Sequence, residues 1–229
     1  MVPCAVDPGA QPTVPTRTLR HSRIEVAAMV STDVSIPDSP ATAQPPADGH
    51  RFRYQPFFCE ENAWWLCAEP ALGDGPRAVL FVSSARGACP LAAQRAVPPG
   101  MLCWWDYHVV VLDALARIWD LDTRLGLPVS AADWLHQTFP SIERLPADLM
   151  PWFRLVPAAA YRAQFASDRS HMRTAGGGWC QPPPAWPPIG AGMNLAHYQS
   201  LAPNGPGEIL SWRELLARVS AERGASPQP

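Results

Sequence analysis

The sequence predicts an α+β domain in which an antiparallel sheet is flanked by helices. Three observations carry that expectation. Residues 102–112 and 116–122 are dense in aromatic and β-branched side chains with a short break at residues 113–115, the pattern of a hairpin with a three-residue loop. Residues 59–69 are filled with Ala, Trp and Leu and stopped by Pro70, as a buried helix would be. Ser211, with Glu214 three residues on, forms a capping box that opens a terminal helix over 211–223.

The elements follow in order. Residues 1–49 are rich in Pro, Ser, Thr and Ala without a sustained period, and read as a disordered leader; the globular domain spans 50–229. After the first helix, residues 77–83 read as a strand and 91–95 as a short helical or irregular link. The hairpin comes next, then a helix from Ala131 capped by Ser130, and short helices at 146–150 and 158–166, each introduced near a proline or turn residue. Residues 175–192 form a Gly- and Pro-rich loop.

Composition excludes several function classes. A formal charge of −2 gives no electrostatic footprint for nucleic acid or an anionic membrane. All 18 basic residues are arginine, so a P-loop lysine and a Schiff-base lysine are both ruled out. The six cysteines, at 4, 59, 67, 89, 103 and 180, include no C-x-x-C and no zinc-finger spacing. No secretory leader pattern opens the chain and no apolar run is long enough to span a bilayer, so the expectation is a soluble, cytoplasmic, monomeric protein without metal or cofactor.

The chemistry centres on Cys59, at the first turn of its helix, where the helix dipole favours thiolate. Glu60 and Glu61 oppose that effect, so their side chains are expected to point away from the sulfur or to serve the substrate. His108 and Asp120 lie six residues either side of Ala114, which places them opposite each other on adjacent strands. Opposed Cβ atoms are roughly 4.5–5.5 Å apart, within reach of an imidazole–carboxylate hydrogen bond. Cys, His and Asp in this arrangement are a nucleophile, a base and its orienting group. Each also has a structural reading: a buried thiol, a sheet histidine satisfied by a neighbour, a loop-ordering acid. The tryptophans at 64, 65, 104, 105 and 119 are read as core.

Several motifs occur together: C-E-E-N at 59–62, W-D-Y-H at 105–108, D-L-D at 120–122, F-A-S-D-R-S-H-M at 165–172, Q-P-P-P at 181–184 and M-N-L at 193–195. Over residues 54–218 the chain thereby resembles the protein N-terminal glutamine amidohydrolase family. The resemblance implies a fold similar to the papain and transglutaminase type of thiol enzyme, with Cys59, His108 and Asp120 as triad. It also implies a reaction: the side chain of an N-terminal glutamine on a protein or peptide becomes glutamate, with release of ammonia through a thioester. Detecting a free α-ammonium calls for a carboxylate. Glu60, Glu61, Asp106, Asp122 and Asp168 are candidates, with Asp122 favoured because it shares a strand face with Asp120. His171 is a further candidate binding residue, with packing of the site wall as its structural alternative. The competing readings are a papain-like protease, a transglutaminase-like acyl transferase, and a non-catalytic Trp- and Pro-rich interaction module.

Overall fold

A computed structural model describes residues 51–75 and 77–225; the predicted leader, residues 1–49, lies outside the described residues. In chain order the elements are α1 (Cys59–Leu66), β1 (Ala78–Ser83), β2 (Cys89–Leu91), β3 (Cys103–Trp105), β4 (His108–Leu112), β5 (Arg117–Trp119), β6 (Val129–Ser130), α2 (Ala131–Thr138), β7 (Trp152–Pro157), α3 (Ala158–Gln164), α4 (Leu195–Gln199), β8 (Glu208–Ser211) and α5 (Trp212–Ala225). Six strands form one antiparallel sheet in the order β6-β5-β4-β1-β7-β8, and β2 pairs with β3 in a small separate sheet. The fold is α+β, an antiparallel sheet flanked by helices, as the sequence predicts.

Helices cover both faces of the sheet, and the two-residue period of its strands feeds two cores. Val79, Phe81, Val109 and Val111 pack with Ala63 and Leu66 of α1 and Tyr161 of α3. Leu80, Val82, Val110 and Leu112 pack with Trp134 and Leu135 of α2 and Leu215 and Val219 of α5. Burial on both faces explains why β1 and β4 read as unbroken apolar runs rather than alternating ones.

The predicted hairpin exists, with its turn displaced. Its loop is Ala114–Ala116, closed by the Asp113 N–H donating to the Arg117 carbonyl at 3.0 Å, with Ala116 in the left-handed region at φ 53°. This is the type I turn plus left-handed residue common to three-residue hairpin loops. Asp113 locks it in place: Oδ1 accepts the N–H groups of Leu115 and Arg117, and Oδ2 accepts the side chains of Arg117 and Trp119. The observed pairs are Val111 with Trp119 and Leu112 with Ile118, so the register differs by two residues from the predicted one. An even slip preserves the face, so His108 and Asp120 still approach each other.

The first predicted strand of the hairpin is broken at Asp106–Tyr107, and its leading part, β3, belongs to the small sheet. The predicted link at 91–95 instead contributes Leu91 to β2 and Gln94 to a bridge with Thr123. The capping box at the last helix is present: Glu214 Oε2 accepts the Ser211 N–H at 2.7 Å, and Ser211 Oγ accepts the Glu214 N–H at 3.4 Å.

Candidate active site

The turn before α1 aims the cysteine. Phe57 takes a positive φ of 69°, a strained choice for an aromatic residue, and Phe58 remains outside helical geometry, so Cys59 becomes the first helical residue. Asn62 reaches back to hold that turn, its Oδ1 accepting the Gln55 N–H at 2.8 Å and its Nδ2 donating to the Gln55 carbonyl at 2.9 Å. Phe58 supplies no side-chain cap, which leaves the first N–H groups of α1 without the usual side-chain acceptor. The helix packs on β4, and the Val109 N–H is directed at the Cys59 sulfur.

His108, one residue before Val109, is fully buried. Its Nε2 lies 3.0 Å from Asp120 Oδ1, while Nδ1 is buried without a hydrogen-bond partner among the described residues. The imidazole is stacked on Trp105 at a centroid distance of 5.7 Å, which fixes its plane. Asp120 is held from four directions: His108 and the Asp122 N–H at Oδ1, Gln94 Nε2 and Trp134 Nε1 at Oδ2. Burial alone would raise the Asp120 pKa, yet the His108 charge and these donors hold it below the ordinary carboxylate value. Burial likewise opposes charge on His108, but Asp120 and then Asp122 outweigh it and raise the imidazole pKa. The two partners agree in direction: the carboxylate stabilises the imidazolium that forms when His108 takes up a proton. Cys59 goes the other way. Burial, then the carboxylates of Glu60 and Asp122, push the thiol well above its ordinary value, with only the Val109 N–H opposing them among its larger influences.

The remaining predicted binding residues separate clearly. Glu60 is fully buried and turned toward the sulfur: its Oε2 lies 3.8 Å from Cys59 Sγ and accepts the Tyr107 hydroxyl at 2.9 Å. Its Oε1 lies 3.3 Å from His171 Nε2, within ion-pair range, but neither atom makes a hydrogen bond among the described residues. Glu61 points the opposite way, into a bidentate pair with Arg169 at 2.6 and 2.7 Å, and also accepts Trp186 Nε1. Asp122 is buried beside the triad, with Oδ1 accepting the Tyr54 hydroxyl at 2.6 Å. Asp168 and Asp106 are exposed; hydrogen bonds from the Ser170 side chain and then from its N–H, at 2.9 Å, lower the Asp168 pKa. Sequence reasoning missed Tyr54, Gln94, Tyr107, Trp134 and Arg169. Arg169 and Tyr107 do fall inside recognised motifs, a signal that could have drawn attention to them.

His108, Asp120 and Asp122 also bring one potential ligand atom each within 4.8 Å of one another. Both oxygens of Asp120 and one of Asp122 are already engaged by N–H and O–H donors, so the cluster reads as a hydrogen-bonded acid–imidazole system. Burial pushes the Asp122 carboxyl up to about 6 from an ordinary 3.8. Because the folded state holds this proton more tightly than the unfolded one, stability contributed by the neutral acid is lost as pH rises between these values. Above them the charged form costs up to about 3 kcal/mol. Asp122→Asn is therefore expected to melt several degrees above the wild type at pH 8, with the gap closing below pH 4, in paired thermal melts. Equal melting differences at both pH values would show that the buried charge is not what is being relieved.

Residues 54–219 match the N-terminal glutamine amidase family. The chain is 35% identical over 192 residues to the protein N-terminal glutamine amidohydrolase of Bos taurus, covering 79% of this chain and 92% of the relative. The Homo sapiens protein of that name is 34% identical over 79% of this chain and 93% of its own length, and the Arabidopsis thaliana one 34% over 69% and 78%. On that match, and with a buried thiol, imidazole and carboxylate at its core, the chain belongs to the N-terminal glutamine amidase family.

Proposed function

We propose that this chain hydrolyses the γ-carboxamide of an N-terminal glutamine on proteins or peptides, with Cys59 as nucleophile, His108 as acid and base, and Asp120 as its orienting group. The observation that carries the assignment of roles is the His108 ring. Nε2 is committed to a saturated carboxylate, and the unpartnered Nδ1 belongs to the residue adjoining the N–H that addresses the thiol. In the reaction Sγ attacks the amide carbon as its proton passes to Nδ1, and the first N–H groups of α1 receive the oxyanion. The C–N bond breaks as His108 returns that proton to the departing ammonia. Water, deprotonated by His108, then cleaves the thioester; the γ-carboxylate leaves and the proton returns to sulfur.

Among the carboxylates considered for the α-ammonium, Glu60 is the best placed, because one of its oxygens is buried beside His171 without a hydrogen bond among the described residues, while the other adjoins the thiol. Asp122, favoured on position alone, already accepts Tyr54. An amine clamped at Glu60 fixes the side-chain length that reaches Cys59. Asparagine falls about one bond short, and misplacement of about 1 Å costs on the order of 10²-fold in rate.

The test is ammonia release from peptides beginning with Gln, acetyl-Gln or Asn, and from a peptide with Gln placed internally. Only the free N-terminal Gln should turn over well, with Asn about 10²-fold slower. Equal turnover of acetylated and internal Gln would move the chain to the protease or acyl-transferase reading. Among the described residues no helix is long and apolar enough to cross a membrane. The expected cytoplasmic location and monomeric state complete the proposal.

A further inference from the structure

We propose that Glu60 couples recognition of the free amine to arming of the nucleophile: with the amine position empty its carboxylate keeps Cys59 a neutral thiol, and a bound α-ammonium releases that proton to His108. This rests on the reading of Glu60 as the ammonium partner and extends it from binding to activation.

The geometry is specific. One carboxylate touches both events, since Oε2 faces Sγ at 3.8 Å in a contact where the thiol is the donor, and Oε1 is buried with no hydrogen bond among the described residues. Such an orphaned, fully buried carboxylate oxygen is expensive unless something completes it. His171 stands 3.3 Å from it with its side chain 22% exposed, yet neither of its ring nitrogens makes a hydrogen bond among the described residues. A contact at ion-pair distance without hydrogen-bond alignment leaves that oxygen short of a donor. An ammonium, with three rotatable N–H groups, is such a donor.

The charges around the sulfur explain why Glu60 is the controlling one. On α1 the neighbours are Glu60 and Glu61, and Glu61 is neutralised by Arg169. From the β4 side come Tyr107, whose hydroxyl is committed to Glu60, and His108, whose Nε2 is held by Asp120 while Nδ1 serves as the acceptor. Beyond β5 lies Asp122, which donates nothing to the sulfur and accepts Tyr54. From α3 the Tyr161 hydroxyl goes to the Glu60 carbonyl. Of the carboxylates acting on Cys59, Glu60 thus combines direct contact with the thiol and an acceptor oxygen that no described residue hydrogen-bonds. A full negative charge at this range opposes the thiolate, and its neutralisation raises the thiolate population at fixed pH by about tenfold or more. Neutralising Glu60 with a cation therefore changes the nucleophile as well as the affinity. The step is a proton transfer alone: the S–H bond breaks, the proton goes to His108 Nδ1, and the resulting thiolate–imidazolium pair attacks.

The consequence is that an amine with no carboxamide should still arm Cys59. The experiment measures alkylation of Cys59 by iodoacetamide between pH 6 and 9, with the site assigned by peptide mass spectrometry. It is run on the full-length protein alone, with a Gly-initiated peptide, and with the same peptide acetylated. Glycine fills the amine position and leaves the sulfur open. Alkylation of the free protein should be slow at pH 7, roughly tenfold or more faster with the Gly peptide, and unchanged by the acetylated one. Glu60→Gln should be fast without any peptide and insensitive to both, while losing kcat/KM on Gln peptides. A Gly peptide that slows alkylation or leaves it unchanged, or a folded Glu60→Gln alkylated at the wild-type rate, overturns the coupling. The wild-type peptide comparison decides the matter should the variant fail to fold. Ammonia release from Gln peptides is read in parallel. Its presence with no alkylation response rejects the coupling alone, whereas its absence rejects the proposed function.

Discussion

Cys59→Ala and His108→Ala are expected to abolish ammonia release from Gln peptides, and Asp120→Asn to reduce kcat by about 10⁴, the size of the equivalent change in serine proteases. The Asp120 effect follows from its four donors. Each carboxylate oxygen accepts two N–H groups, so an asparagine must turn its NH2 toward donors whichever way it is placed. If the NH2 faces His108, Nε2 becomes the acceptor and the ring proton moves to Nδ1, where it blocks uptake of the thiol proton. If it faces outward, Gln94 and Trp134 meet a donor instead of an acceptor, and the orientation of the whole group is lost. Cys59→Ala removes the bond-forming atom and little else, so it separates chemistry from folding. Its melting temperature should remain near that of the wild type while turnover falls to background. Turnover by Cys59→Ala at the wild-type rate would remove the entire assignment.

The histidine–aspartate pairing was legible in the sequence for a reason that tolerates error. Placing the hairpin loop one residue early moved the register by two, and two is the period of a strand, so His108 and Asp120 stayed on one face. What supports them was not legible. Gln94 and Trp134 reach Asp120 from 26 and 14 residues away, and no local pattern announces either contact. Glu60 and Glu61 are chemically alike and adjacent, and the helix turns one to the sulfur and the other to an arginine 108 residues on. Strand β7 was also missed. Prolines at 151 and 157 bracket it, and Arg154 in its middle reads as surface, whereas that side chain is buried and satisfied by the carbonyls of Ser200, Ala202 and Pro206. Local propensity identified the elements that end in caps and turns; long-range polar satisfaction decided the rest.

Arg169→Met is expected to destabilise the fold by about 3–5 kcal/mol, because it strands the Glu61 carboxylate in a buried site. For a domain of this size that lowers the melting temperature by roughly 10 °C. Among the described residues, Glu61 would retain only the Trp186 indole N–H from a set that now includes a bidentate guanidinium. Glu61→Gln should cost less, since Arg169 keeps the carbonyls of Pro184 and Trp186 as acceptors. The double variant Glu61→Met/Arg169→Met should recover much of the loss, as a pair of apolar side chains leaves no buried charge behind. Arg169 also occupies the left-handed region at φ 63°, a cost of about 1–2 kcal/mol for a side-chain-bearing residue that its contacts have to offset. Those contacts tie the Pro-rich loop to α1, with Gln55 Nε2 donating to the Pro182 carbonyl as a second tether. Loss of Arg169 should therefore raise KM for Gln peptides through disorder of that loop, in addition to lowering the melting temperature. Melting of Arg169→Met within about 2 °C of the wild type would show that the pair is solvated and leaves α1 to other supports.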